Sequence, residues 1–163
     1  MYKRQIYTNC HSSTNYSVFN TLIKKIFPIS PSTYCVPSIY GRFIFNANIP
    51  LIYSNIIGGE GYSLDFEQQI PFSGLIHTEN VNNVLGGMQI KFQHTIHKKQ
   101  HLTLAGNYAI SEHHFSNCFH GKPIYGISVG YGYESPLGPI EGFLSYSNKT
   151  KDLGFYLNIG FGF

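Results

Sequence analysis

The chain has 163 residues, of which 42% are hydrophobic, 16% aromatic and only 12% charged, with a formal charge of +3. So little charge in a chain so rich in Tyr, Phe and Gly excludes a disordered segment and a charged helical bundle, and leaves β-rich folds. The small, dispersed positive charge gives no footprint for nucleic acid.

A mean hydropathy of −0.10 and the lack of any uninterrupted apolar run of membrane-helix length exclude spanning helices. A membrane barrel is still compatible, because only alternate residues of its strands meet lipid.

The chain opens with Met1-Tyr2-Lys3-Arg4-Gln5, and no apolar stretch of adequate length follows before Asn9, Cys10 and His11, so no secretory signal stands here. Tyr-Lys-Arg-Gln is also the translation of TAT AAG AGA CAG, which looks like a transposon end used in preparing sequencing libraries. Residues 1–5 are therefore set aside as a sequencing or cloning scar, and residues 6–163 are read as one partial domain whose parent continues upstream.

Between residues 14 and 34, Val18, Phe19, Leu22, Ile23, Ile26 and Phe27 fit helical and strand spacing about equally, and Pro28 and Pro31 end the segment; a strand is the expectation. From there the period is two. Ile39, Phe43, Phe45, Ala47 and Ile49 alternate with Ser38, Arg42, Asn46 and Asn48. Val84, Met88, Ile90, Phe92 and Ile96 alternate with Gln89, Lys91, Gln93 and Thr95, and Leu102, Leu104, Tyr108 and Ile110 with Thr103, Ala105, Asn107 and Ala109.

Tyr125, Ile127, Val129, Tyr131 and Tyr133 then oppose Gly126, Ser128, Gly130, Gly132 and Glu134, and the chain closes with Leu153, Phe155, Leu157, Ile159, Phe161 and Phe163 against Gly154, Tyr156, Asn158, Gly160 and Gly162. These segments run to about ten residues or more, the length a tilted strand needs to cross a bilayer.

Breakers cluster at His97–Gln100, Ser111–Lys122, Ser135–Pro139 and Asn148–Asp152, so that short and long connections alternate, as in outer-membrane barrels. A soluble β-sandwich binding module is the competing fold. Its exterior would carry Lys, Glu and Thr, whereas the second face here is Gly, Ser, Asn and Gln. On that face Arg42, Lys91 and Glu134 are placed to meet a loop folded into the lumen, or water, and the glycines at 126, 130, 132, 160 and 162 would clear the wall for such a loop or permit curvature.

Few residues offer chemistry. Gly126-Ile127-Ser128-Val129-Gly130 has the letters of a nucleophile elbow, but Ser128 sits in mid-strand with no helix behind it, and the chain contains no Asp-Gly pair. His94 and His97, or His97 and His101, have ligand-like spacings on a helix, but on a strand i and i+3 point to opposite faces, and His113, His114 and His120 fall in a loop. Cys10, Cys35 and Cys118 are an odd set without a C-x-x-C pair. No catalytic residue, metal site or cofactor is assigned.

Four blocks together resemble one family: Asn55-Ile56-Ile57-Gly58-Gly59-Glu60; Gln68-Gln69-Ile70-Pro71-Phe72-Ser73-Gly74; Tyr133-Glu134-Ser135-Pro136-Leu137-Gly138-Pro139-Ile140; and Ser145–Lys151 running into Gly154-Phe155-Tyr156. In order and spacing they look like the C-terminal barrel of the patatin-like phospholipase outer-membrane proteins of Bacteroidota, within the bacterial surface antigen and outer-membrane assembly superfamily.

The resemblance covers about residues 14–163. It implies that Gly58, Gly59, Gln68, Gln69, Pro71, Phe72 and Gly74 build an inward-folded loop, that Ser135, Pro136, Gly138 and Pro139 make a turn, and that Phe161 and Phe163 resemble a C-terminal insertion signal. The Arg-Gly-Phe or Arg-Gly-Tyr loop tip of the assembly factors is replaced here by Gly61-Tyr62-Ser63-Leu64-Asp65-Phe66.

The expected fold is thus all-β, an antiparallel transmembrane β-barrel fragment: an open curved sheet of about seven strands, the C-terminal part of a barrel of roughly sixteen. Its expected role is membrane anchor and conduit for a lipase domain missing from the chain. The alternative role is the barrel of an assembly or translocation factor. Implied partners are outer-membrane lipids, the outer-membrane assembly machinery acting on the last strand, and the absent N-terminal part of the same chain.

Overall fold

A computed structural model describes residues 2–8 (backbone only), 16–45, 53–59, 68–75, 77–113, 122–136 and 138–160. Its strands in chain order are β1 (Tyr2–Thr8), β2 (Ser17–Lys24), β3 (Phe27–Ser30), β4 (Thr33–Phe45), β5 (Asn55–Ile57), β6 (Gln69–Ile70), β7 (Glu79–Val81), β8 (Val84–His97), β9 (Gln100–Glu112), β10 (Ile124–Ser135), β11 (Gly138–Ser147) and β12 (Leu153–Ile159). No α-helix is present among the described residues.

One antiparallel sheet runs in the order β1-β2-β4-β8-β9-β10-β11-β12, with β3 folded back on the start of β4. The main path thus has eight strands where about seven were expected. The additional one is β1, which takes in Tyr2–Gln5 and pairs with β2 from Tyr2↔Ile23 to Thr8↔Ser17. The segment with ambiguous periodicity is extended, as β2 and β3, because Val18 and its neighbours are held in register against β4 from Ser17↔Phe45 to Lys24↔Ser38.

The alternation decides which face each residue takes. Ile127 is 58% exposed and Val129 53%, while Ser128 between them is 1% exposed. Met88, Ile90, Phe92, Leu102, Leu104, Leu144, Phe155 and Leu157 join Ile127 on one broad apolar outer face. Such a surface on a water-soluble protein would be a liability, whereas hydrocarbon solvates it without cost.

Connections sort by rim. The tight β8–β9 and β10–β11 turns lie at one end of the sheet together with the end of β12. The stretches 9–16, 46–83, 113–123 and 148–152 all leave from the other end. In the first rim Ser135 pairs with Gly138, the Ser135 hydroxyl donates to the Gly138 carbonyl at 2.6 Å, and Gly138 takes a φ of +118° that favours glycine.

Candidate functional site

The stretch between β4 and β8 does not hang free of the sheet. Its described parts form a small second sheet, in the order β6-β5-β7, that packs on the inner face near the long-loop rim. Ile57, Phe72 and Leu75 from this segment form one core with Tyr40 of β4, Leu85 of β8 and Ala109 of β9. Phe72 and Ile57 are fully buried. A lumen-facing wall of pure polar residues could not hold such a plug; Tyr40 and Leu85 supply the apolar surface that does, worth roughly 1.5–3 kcal/mol for each large side chain removed from water.

Polar contacts then fix the pose. The Arg42 guanidinium reaches from β4 into the segment, donating to the Asn55 side-chain oxygen and, from both terminal nitrogens, to the Tyr53 carbonyl at 3.3 Å. Asn55 is itself fully buried and donates to the Asn82 carbonyl at 2.7 Å and the Arg42 carbonyl at 3.3 Å. Farther along, the Ser128 hydroxyl donates to the Ser73 hydroxyl at 3.2 Å. Asn82 anchors the segment's exit, its backbone N–H donating to the Ser111 hydroxyl at 2.9 Å. At the outer edge Glu79 pairs with Lys149 of the β11–β12 connection.

The loop residues named from sequence come together here. Gly58 and Gly59 end β5 with φ of +108° and +74°, and the Gln69 side chain donates to the Gly58 carbonyl at 3.1 Å. The Gln68 carbonyl accepts from the Ile56 N–H at 3.4 Å, Pro71 is exposed, and Phe72 fills the core. Gly74, with φ of +89°, lies so close to β11 that a Cβ there would meet the Tyr146 carbonyl oxygen at 2.3 Å.

The turn residues Ser135, Pro136, Gly138 and Pro139 sit at the opposite rim, where the Pro139 carbonyl accepts from the Gly160 N–H at 2.9 Å. Phe161, Phe163 and the Gly61–Phe66 tip lie outside the described residues. Of the three charges placed on the inner face, Arg42 binds the loop; no hydrogen bond or ion pair joins Lys91 or Glu134 to it among the described residues.

Ser128 is where a strand serine belongs, with Ser73 as its partner and β10 continuing past it to Ser135. No nucleophile elbow forms there. His94 accepts or donates one hydrogen bond, with the Thr33 hydroxyl at 2.8 Å, and His101 pairs with Glu141 at 3.3 Å. No group of three potential metal ligands gathers among the described residues.

Sequence reasoning gave no role to Tyr40, Leu85 and Leu75, nor to Asn55 and Ile57 within the glycine block. A signal for the first two did exist: Tyr40 shares parity with Ser38 and Arg42, and Leu85 with Gln89 and Lys91, so each is an apolar residue on an otherwise polar face. Such a break marks where something covers the wall.

The site is therefore a plug held against an inner wall. A sequence model described as the OMP85 superfamily matches residues 4–163. No curated protein sequence matches the chain.

Proposed function

Because the chain belongs to the OMP85 superfamily of outer-membrane barrel proteins, we propose that it is the membrane-embedded anchor of a patatin-like phospholipase, with the hydrolase carried by a part of the parent not included here. The observation that carries the anchor role is the division of faces. Ile127, Val129, Leu144, Phe155 and Leu157 turn outward to lipid, while the loop core of Phe72, Leu75 and Ile57 fills the inside. The Ser128 hydroxyl is engaged with Ser73 of the loop, and this reading assigns the hydrolysis to the upstream part of the parent. The patatin assignment rests on the resemblance of the Gly58-Gly59, Gln68–Gly74 and Tyr133–Ile140 blocks.

In this reading outer-membrane lipids surround the outer face, the outer-membrane assembly machinery engages the last strand, and further strands of the parent continue the wall beyond β1 and β12. The test is the coding sequence upstream of residue 6, together with an acyl-hydrolase assay on the whole encoded protein. A G-x-S-x-G elbow, an Asp-Gly pair and release of fatty acid from an acyl ester support the reading. Tandem periplasmic transport modules without hydrolysis replace it with an assembly or translocation barrel, which the same family membership accommodates.

A further inference from the structure

The outer face is not uniformly filled. Gly142 of β11 points outward between Tyr131 of β10 and Leu157 of β12, its register partners on either side. Where every neighbouring outward position carries a large side chain, this one carries none, and a groove of about 360 Å³ opens there. Its lining includes Leu102, Val129, Tyr131, Leu144, Phe155 and Leu157, and it is overwhelmingly apolar. A Cβ at Gly142 would meet only Leu157 and Phe155 carbons at 3.9 Å, so no backbone crowding or positive φ requires glycine at this position.

Toward the tight-turn rim the groove's lining extends to Tyr133, the strand position beside the β8–β9 turn. Tyr133 pairs with Gln100, and the Glu134 N–H donates to the Lys99 carbonyl at 2.8 Å, so the turn abuts β10 one residue beyond Tyr133. Lys98 and Lys99 are exposed there and enter no ion pair among the described residues. Glu134 lies three residue rises along the strand from Tyr131, about 10 Å at the usual strand rise. An apolar slot whose middle lies about 10 Å of strand from a turn with two exposed lysines matches one amphiphile: acyl chain in the slot, phosphate at the rim.

We propose that the groove at Gly142 is a binding site for a single anionic glycerophospholipid of the leaflet that meets the tight-turn rim, seated by Lys98 and Lys99. This inference rests on the reading of the outer face as lipid-facing, and goes beyond it by singling out one lipid from the annulus.

The experiment is native mass spectrometry of the whole protein, extracted in mild detergent and offered phosphatidylglycerol and phosphatidylethanolamine in equal amounts. The native chain retains one phosphatidylglycerol. Gly142→Leu fills the slot and retains about tenfold less, the scale of losing contact with about two methylene groups. Lys98→Ala with Lys99→Ala leaves the slot intact and abolishes the preference between the two lipids.

Heat-modifiable gel mobility verifies that each variant is folded, and the turn variant, remote from strand packing, keeps the test decisive if Gly142→Leu fails to fold. Undiminished retention in folded Gly142→Leu, an unchanged lipid preference in the lysine variant, retention of lipopolysaccharide alone, or a second copy of the chain in place of lipid would each overturn the site. A native chain that partitions into buffer without detergent would instead overturn the outer-membrane reading beneath it.

Discussion

Two halves of β10 show the same alternation put to different uses. Under the loop, Gly126 and Ser128 face a second layer of backbone: a Cβ on Gly126 would lie 1.9 Å from the Ser73 carbonyl oxygen. Farther along, Gly130 and Gly132 face rings from their own sheet, with Phe143 and His101 occupying the space a Cβ would take. Gly126 makes room for a segment that must be fixed; Gly130 and Gly132 make room for side chains that can swing aside. Identical sequence patterns therefore carry unequal constraint, set by whether backbone or a flexible side chain lies opposite.

That contrast can be broken or sharpened by substitution. The largest effect is expected at the plug's centre. Phe72→Ala removes a fully buried ring and should destabilise loop docking by about 3–5 kcal/mol, read as faster proteolytic cleavage within residues 53–83 while the wall stays protected. Equal protection of native and variant loops would mean that the core with Tyr40 and Leu85 does not hold the plug.

Next comes a matched pair on one strand. Gly126→Ala must displace the Ser73 backbone and should cost about 1–3 kcal/mol, whereas Gly132→Ala asks the His101 ring to turn, loosening its contact with the part-exposed Glu141, and should stay within about 1 kcal/mol. Denaturant titration of the folded, detergent-bound protein gives both values. Reversal of their order would remove the distinction between the two halves.

Ser128→Ala should cost about 0.5–1.5 kcal/mol through the lost hydroxyl pair with Ser73, and leave acyl hydrolysis by the parent protein unchanged. Loss of hydrolysis without loss of folding would restore Ser128 as a nucleophile. Smallest of all, Lys149→Ala opens the pair with Glu79, two side chains each about one-third exposed, and should shift loop protection by at most about 1 kcal/mol, less in high salt.

How much of this was legible depended on whether period two held. On β10 and β12 the alternation is strict, and Tyr125–Glu134 and Leu153–Ile159 gave both strand identity and facing. In β2 the apolar residues at 18, 19, 22 and 23 satisfy two periods at once, and only pairing with β4 selects the strand.

The loop was recognisable by its glycines and its Gln68–Gly74 block, but its pose was not. Short strands of two or three residues carry no readable period, and the fit of Phe72 against Tyr40 and Leu85 joins positions far apart in sequence. Arg42 was placed on the correct face, yet its partner Asn55 reads in sequence as an ordinary polar residue of the glycine block.

The pairing of β4 with β8 sets an order of events. From β8 to β12 every strand pairs with its neighbour in the chain, so the wall there can grow hairpin by hairpin with little loop-closure entropy at each step. The seam from Thr33↔His94 to Phe43↔Val84 is different, since it must close over the whole stretch 46–83. That same stretch packs on both sides of the seam, touching Tyr40 and Leu85 together. The plug thus acts as a template for the slowest junction of the sheet, and a chain with a damaged plug should accumulate with β8–β12 formed and β1–β4 unattached, a delay visible in the kinetics of folding rather than in the final architecture.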